Sequence, residues 1–336
     1  MPTLPLLVEV TRGAMVESRH LGSVAVLDAR GGTVHAWGDI ESPIYARSAI
    51  KPIQAIPLVE TGAADAFSVG PRELALACAS HGGEPDHTGP VADWLARIGL
   101  GEGDLECGSQ VSSYEPSAHA VVRSGQAFTQ IHNNCSGKHS GFLTGARHHR
   151  EPTRGYVAPD HPSQRRWIKV LAEMSGIDLD RAPAGTDGCG IPQLGMSLRG
   201  LALAFARMAD PAGLHADRQA AIARIRRAVA GNPLMVAGHG RFCTAAMEVL
   251  GERALIKTGA EGVFCAALPT LGLGLALKIA DGAGRAAEVA CAAVLLKLGV
   301  IDDVARTRLG DRIVLPILNR AGRHVGEIRP ARGWID

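Results

Sequence analysis

Strand-like alternation occurs at both ends of this 336-residue chain, whereas the long middle part has helical periodicity. Near the start, Leu6, Val8 and Val10 fall on one face of a predicted strand, and two further strand-like runs follow before residue 40. Strand-like runs return after residue 250. Because a sheet can join strands that are distant in sequence, this distribution predicts one sheet closed by the two termini, with a helical part inserted between them.

The helical periodicity extends from about residue 48 to residue 240. Apolar residues recur there at the i, i+3, i+4, i+7 spacing, as in Val91, Trp94, Leu95 and Ile98, and such stripes are typical of a buried core. We therefore predict an α/β (α+β) fold with an antiparallel sheet. The predicted parts are a sheet-containing part of residues 1–47 plus 245–336, and a mainly helical part of residues 48–244 that carries the candidate site loops.

Composition excludes several classes of protein. The net charge is only +2 and no basic stretch stands out, which argues against a nucleic-acid partner or a membrane-surface protein. No run reaches the roughly 18 apolar residues of a membrane span. The first 13 residues contain two prolines and no basic region, so we predict no signal peptide. Seven scattered cysteines are most simply reduced thiols, and we expect a cytoplasmic location.

Ser48 and Lys51 lie three residues apart, where the strand-rich start gives way to the helical middle. On a helix, this spacing places both side chains on one face. A serine hydroxyl becomes a good nucleophile only when a base takes its proton, and a buried neutral lysine can be that base. The alternative is an incidental serine beside a solvated lysine, since so short a pattern also arises by chance.

Lys257, Thr258 and Gly259 begin the C-terminal strand block. A Ser-x-x-Lys helix followed by a Lys-Thr-Gly strand is the signature pair of serine β-lactamases and penicillin-binding proteins. The helix N-terminus would favour developing negative charge, and the strand would add a cation and backbone donors. No Ser-Asp-Asn or Tyr-x-Asn element lies between the two motifs. The pair therefore indicates the fold more than the substrate.

Three further stretches combine polar residues with glycines: CASHGGEPDH at 78–87, IHNNCSGKHSGF at 131–142 and GTDGCGIP at 185–192. Glycine-flanked polar residues suit a backbone that approaches a ligand, although ordinary loops have similar composition. Within these stretches, Cys135 and Cys189 are candidate soft metal ligands, and a third ligand would come from Lys138, His132 or His139. The spacing matches no standard zinc motif.

Taken together, these stretches resemble the rhizobial-type L-asparaginase family, also called asparaginase II or class 3, over nearly the whole chain. The matching pieces are RSAIKP (47–52), ASHGGE (79–84), NNCSGKHSGF (133–142), DGCGIP (187–192), KTGAEGVF (257–264) and LALKIADG (275–282). The resemblance implies hydrolysis of L-asparagine to L-aspartate and ammonia. It also implies a serine-β-lactamase-like fold related to bacterial glutaminases, a homodimer and a bound zinc ion.

The resemblance further implies the residues of the site. They are two serine–lysine pairs, Ser48–Lys51 and Ser80–Lys257; a zinc site of Cys135, Lys138 and Cys189; and a substrate site of Arg47, His139 and Asp187. Lengths between the motifs vary in the family, so Lys257 is assigned to the second pair on motif position alone.

Amide hydrolysis by such a site needs a nucleophile, donors for the oxyanion and a proton for the leaving ammonia. We expect Ser48 to attack the side-chain carbonyl with Lys51 as its base, while Ser80 and Lys257 relay the proton or polarise the first pair. The carboxylate of Asp187 suits the substrate ammonium, and the guanidinium of Arg47 suits its carboxylate. A serine nucleophile makes a zinc hydroxide unnecessary, so we expect zinc to support the site rather than perform the chemistry.

Two alternatives remain at the level of sequence. The first is another serine acyl hydrolase of the same fold, namely a glutaminase, a β-lactamase or a D-alanyl peptidase. Glutaminase is the closest of these, because one methylene changes selectivity by only about 1–3 kcal/mol. The second is a non-catalytic protein that binds zinc or an amino acid.

Overall fold

A computed structural model describes residues 4–335 of the chain. Eleven strands occur within this range: β1 Leu6–Arg12, β2 Met15–Asp28, β3 Thr33–Trp37, β4 Ile44–Tyr45, β5 Ala184–Thr186, β6 Pro192–Met196, β7 Leu255–Gly259, β8 Val263–Leu268, β9 Leu273–Ile279, β10 Leu315–Leu318 and β11 His324–Pro330.

Fourteen α-helices occur in the same described range. They are α1 Lys51–Gln54, α2 Ile56–Glu60, α3 Ala63–Ala66, α4 Pro71–Ala77, α5 Pro85–Arg97, α6 Glu115–Arg123, α7 Ser136–His149, α8 Pro162–Ser175, α9 Leu198–Ala209, α10 Ala216–Gly231, α11 Pro233–Ala237, α12 Phe242–Leu250, α13 Gly284–Lys297 and α14 Asp303–Leu309. Among these helices of residues 4–335, none has both the length and the apolar character needed to cross a membrane.

The first of two compact units contains the chain up to Ala49, the segment Met196–Asp210 and the chain from Ala245 onward. Its strands form an antiparallel sheet in the order β10-β11-β1-β2-β9-β8-β7, and β3 also pairs with β2. Strands from the start of the chain therefore lie between strands from its end. Every residue of β8 is buried, so both faces of the sheet are covered at this strand. The predicted mixed α/β fold, with one sheet built from both termini, is confirmed.

Helix α9 packs closely on this sheet at Gly274 of β9. A Cβ atom on Gly274 would lie 2.1 Å from both Ala202 O and Ala206 N, which are backbone atoms of α9. The helix can therefore approach the strand only where no side chain intervenes. Residues 196–210 are predicted to belong to the helical part, but they belong to the sheet-containing unit, because the apolar face of α9 is buried against the sheet.

The second unit contains Ile50–Gly195 and Pro211–Thr244 and is mainly helical. Trp94 of α5 and Trp167 of α8, both on predicted apolar stripes, are fully buried in it. The first turn of α7 lies directly against the end of α4, because a Cβ on Gly137 would be only 2.4 Å from Leu76 O. This contact brings the loop after α4, which carries Ser80, close to the start of α7, which carries Lys138.

The close approach of α9 to β9 leads to a stability prediction. Gly274→Ala would place a methyl group against two backbone atoms, so we expect the unfolding free energy to fall by about 1–3 kcal/mol or more. Urea unfolding of the purified variant measures this change. Gly284→Ala is the matched control, because its Cβ meets nothing within 4 Å at the start of α13. Equal unfolding midpoints for the two variants would contradict the packing argument.

Candidate active site

The Ser48 turn and the Lys-Thr-Gly strand meet within the first unit. Ser48 is half-buried in a 3-10 turn, Arg47–Ile50, and Arg47 itself has φ of +51°, a left-handed conformation that costs a non-glycine residue about 1–3 kcal/mol. A Cβ on Gly259 would lie 2.8 Å from Ala46 O and 3.2 Å from Ala49 N. Glycine at the third motif position therefore lets β7 lie against the backbone that carries Ser48.

Lys257 lies two residues before this glycine on the same strand. Its side chain is buried, and its Nζ donates a hydrogen bond to Thr258 O at 2.8 Å. It pairs across the sheet with Cys265, whose thiol pKa is raised by burial. The strand thus places a buried lysine in the first unit, and the role of Lys257 in the second serine–lysine pair stays a prediction.

Lys51 is completely buried at the start of α1 in the second unit. Its Nζ lies 3.0 Å from Ser80 Oγ, 2.5 Å from Ala79 O and 3.4 Å from Asn134 O. The two carbonyl oxygens accept, and the Ser80 hydroxyl can either accept or donate, so these three contacts suit both an ammonium group and a neutral amine. Lys51, which the sequence analysis assigned to Ser48, is therefore hydrogen-bonded to the serine of the second predicted pair.

A cluster of two thiols, a carboxylate and an amine lies beside this pair in the second unit. Ligand atoms of Cys135, Asp187 and Cys189 all lie within 4.8 Å of one another. The Nζ of Lys138 lies 3.0 Å from Cys189 Sγ. Cys135 precedes α7 and Lys138 follows one turn later, so the helix directs both toward the loop that carries Cys189. Asp187, predicted to bind substrate, belongs to the thiol cluster.

Cys135, Lys138 and Cys189 differ in the direction in which their pKa values are shifted. A hydrogen bond from the Cys135 thiol lowers the pKa of Cys189 to about 5, and the same bond together with burial raises the pKa of Cys135 to about 12. Burial disfavours the charge on Lys138, but the neighbouring Cys135 and Cys189 outweigh this effect and raise its pKa. The cluster therefore holds a thiolate, a thiol and an ammonium group in close contact.

This donor set fits zinc. Zinc in proteins takes four ligands from thiolates, nitrogens and carboxylates in tetrahedral geometry, and all of these types converge here. Binding would release the protons of Cys135 and Lys138, since only the deprotonated groups can be ligands. Of the two histidines considered as a third ligand, His132 accepts a hydrogen bond from Thr129 N through Nδ1 at 3.1 Å, and His139 is bonded to Tyr156.

His139 is fully buried in α7, and its Nδ1 lies 2.7 Å from the hydroxyl oxygen of Tyr156. That oxygen also accepts a hydrogen bond from Glu106 N at 2.9 Å. Burial lowers the pKa of His139 to about 3, so the ring is neutral. Among residues 4–335, no group is hydrogen-bonded to its Nε2. The ring is therefore neutral and held on one side, and its buried Nε2 is a polar atom that the predicted contact with substrate could use.

Sequence reasoning missed two residues that connect these groups. Tyr156 orients His139 but lies in no recognisable motif, so no local signal identifies it. Asn134 links the Lys51–Ser80 pair to the thiols: its carbonyl accepts from Lys51, and its Oδ1 lies 3.0 Å from Cys135 Sγ. Its place in the polar stretch 131–142 is a signal that could have identified it.

The chain is similar to one protein family and to several solved structures. The profile of the family described as L-asparaginase II matches residues 8–330. No curated protein matches the chain significantly. A beta-lactamase from Mycobacterium bovis is 14% identical over 87% of this chain and 95% of its own, with a TM-score of 0.38. The structure of Mglu in its native form in the presence of 4.3 M NaCl is 13% identical over 84% of this chain and 61% of its own, with a TM-score of 0.42.

The thiol cluster leads to a metal-binding prediction. We expect the purified protein to bind about one zinc per chain, and Cys135→Ala or Cys189→Ala to lose it, because each removes a thiolate ligand. Elemental analysis after dialysis measures the metal content. Cys291→Ala is the control, since it removes a buried thiol in α13, outside the cluster. Full zinc content in both cluster variants would rule out this site.

Proposed function

Because the chain belongs to the L-asparaginase II family, we propose that it is an amidohydrolase that converts L-asparagine to L-aspartate and ammonia. The observation that carries the proposal is the fully buried Lys51, whose Nζ lies 3.0 Å from Ser80 Oγ. A lysine withdrawn from water and placed on a serine hydroxyl is suited to proton transfer. The Ser-x-x-Lys spacing adds Ser48, which is half-buried and so better able than Ser80 to meet a substrate.

In the proposed reaction, Ser48 Oγ attacks the side-chain carbonyl carbon of asparagine and gives its proton to the amine of Lys51. Lys51 then returns this proton to the amide nitrogen as the tetrahedral intermediate collapses, so that ammonia leaves and an aspartyl ester remains on Ser48. Water then attacks the ester carbonyl, Lys51 accepts the proton of this water, and the proton passes to Ser48 Oγ as aspartate leaves. Ser80, already bonded to Lys51, relays protons to and from the lysine, and Lys257 adds positive charge.

Substrate binding would use groups of opposite charge. The guanidinium of Arg47 is suited to the α-carboxylate of asparagine, and the neutral ring of His139 has a free nitrogen for a polar group. The carboxylate of Asp187 remains the candidate partner of the α-ammonium, although its position among the thiols also suits a metal ligand. Zinc held by Cys135, Lys138 and Cys189 would supply a fixed positive charge that braces the surrounding loops.

The substrate class can be tested directly. We expect ammonia release from L-asparagine at least about tenfold faster, in kcat/KM, than from L-glutamine, because an extra methylene costs about 1–3 kcal/mol in a fitted pocket. A coupled ammonia assay with both amino acids, and hydrolysis of a penicillin followed in parallel, measures the selectivity. Equal rates with both amino acids, or turnover of the penicillin alone, would assign the chain to one of the other acyl hydrolases.

The roles of the serines and Lys51 are tested by substitution. Ser48→Ala and Lys51→Ala are each expected to lower kcat by about 10³-fold or more, and the double variant to be hardly slower, because the two residues act as a unit. Circular dichroism checks that the fold survives. Ser80→Ala is expected to be severe as well, so rate alone does not identify the nucleophile.

Mass mapping of a trapped acyl-enzyme makes that distinction. An electrophilic asparagine analogue is expected to leave its mass on the peptide that contains Ser48. An adduct on Ser80 would reverse the roles of the two serines. No adduct, combined with rates that depend on bound zinc, would contradict the serine mechanism.

A further inference from the structure

The segment that carries Ser80 has no regular secondary structure of its own. It runs from Cys78 to Glu84 between α4 and α5, and all of its residues are buried. A loop in this position must be held by neighbouring segments, because it lacks the internal ladder of hydrogen bonds that fixes a helix or strand. How Ser80 is positioned is therefore a question about the groups that contact this loop.

Residues 234–239 contact both the loop and the start of α5. Ser80 N donates to Val236 O at 2.9 Å. His87 Nε2, at the start of α5, bonds to Leu234 O at 2.9 Å. His239 binds the carboxylate of Glu84 in two ways: its backbone N donates to Oε1 at 3.0 Å, and its ring Nδ1 is bonded to Oε2. We call residues 234–239 the clamp segment.

The carboxylate of Glu84 lies in a space that is shaped for it. Glu84 is only 2% exposed. A Cβ on Gly238 would lie 2.2 Å from Glu84 Oε1, and a Cβ on Gly82 would lie 2.5 Å from the same oxygen. Gly238 also has φ of +95°, which disfavours any other residue there. Glycines on both segments thus leave room for one buried acidic group between them.

The hydrogen-bond roles in this contact follow from the chemistry of the groups. An ionised carboxylate only accepts, so His239 must carry its hydrogen on Nδ1 when its ring bonds to Glu84. His87 donates through Nε2 to a carbonyl, and its Nδ1 accepts from Glu84 N at 3.2 Å. Burial lowers the pKa of His87, so it is neutral, as these two roles require. His239 therefore supplies a side-chain donor to the buried carboxylate.

A neighbouring segment, which contains Ser112 and Tyr114, contacts both His239 and the loop. Its ring stacks on Tyr114, with centroids 5.3 Å apart, and Ser112 Oγ donates to Gly82 O at 2.6 Å. The side chain of His239 is still 47% exposed, so it can be substituted without opening the core. Removing the His239 ring would leave the buried Glu84 carboxylate with one hydrogen-bond donor fewer. Because Glu84 is the last residue of the loop 78–84, this loss would destabilise the loop.

From these contacts we propose that His239 is a positioning residue for Ser80: through Glu84 it fixes the loop 78–84 against the clamp segment and so holds the Ser80 hydroxyl at Lys51. The effect of His239 on catalysis rests on the proposed function, whereas its effect on the position of the loop does not. A misplacement of about 1 Å at a reacting group can lower a rate by about 10²-fold, so a distant hydrogen bond of this kind affects kcat.

The test compares variants that differ at the Nδ1 donor. In His239→Asn the side-chain amide nitrogen can take the position of Nδ1, whereas His239→Leu keeps bulk but has no donor. We expect His239→Leu to lower kcat by about tenfold to a hundredfold with KM little changed, and His239→Asn to retain a rate within about threefold of the wild type.

Hydrogen exchange provides a readout that does not depend on activity. The amide of Ser80 is bonded to Val236 O and that of His81 to Asn134 O, so both are expected to exchange faster in His239→Leu and at the wild-type rate in His239→Asn. Arg218→Ala is the control for general destabilisation, because it breaks a buried ion pair with Glu60 elsewhere in the same unit. It is expected to lower stability while leaving kcat and these two amides unchanged.

The outcomes separate the two proposals. If the wild type does not hydrolyse asparagine, the proposed function fails, and the exchange rates still decide whether His239 positions the loop. Wild-type exchange at Ser80 and His81 in His239→Leu would overturn the positioning role. Equal impairment of His239→Asn and His239→Leu would also overturn it, since the hydrogen bond to Glu84 would then not be the cause. Should His239→Leu fail to fold, His239→Ala replaces it in the same comparison.

Discussion

A lysine amine removed from water needs hydrogen-bond partners within the protein, and Lys51 has three of them on two separate segments. Ala79 and Ser80 come from the loop after α4, and Asn134 comes from the loop before α7. A buried polar group without partners destabilises a protein by about 1–3 kcal/mol, so the positions of both loops contribute to the stability of the second unit. One of these partners is the Ser80 hydroxyl, so the packing of the second unit and the proposed chemistry both depend on the contact between Lys51 and Ser80.

The charged groups of the thiol cluster balance one another locally. Lys138, a thiolate and a carboxylate lie within a few ångströms of one another, so positive and negative groups are buried together. Without a metal, this balance keeps Cys189 deprotonated and Lys138 charged. Zinc would replace the lysine proton as the positive charge, which explains how one set of side chains can suit both states. Asn134 lies between this cluster and Lys51, so a change in either is felt by the other.

Backbone contacts at glycines determine where these groups can be. Gly137 lets α7 approach α4, and Gly259 lets the Lys-Thr-Gly strand approach the Ser48 turn. Gly238 and Gly82 leave room for the buried carboxylate of Glu84. In each case a methyl group would overlap backbone or a carboxylate, so the residue type is dictated by distance rather than by turn geometry alone. The glycine-rich motifs of the sequence are thus largely packing contacts around polar groups.

Sequence alone determined the features that depend on local pattern. Alternation at both termini predicted the sheet, helical stripes predicted the buried tryptophans, and glycine-flanked polar stretches identified the residues that converge on the thiol cluster. It could not assign α9 to the sheet-containing unit, because an amphipathic stripe does not say which surface will bury it. Nor could it pair Lys51 with Ser80 or find Tyr156 and the Glu84–His239 contact. Those pairings join residues that are far apart in sequence, and only the tertiary structure decided them. The reason is that buried charges and hydrogen-bonding groups pair with whichever partners the packed backbone brings within about 3 Å.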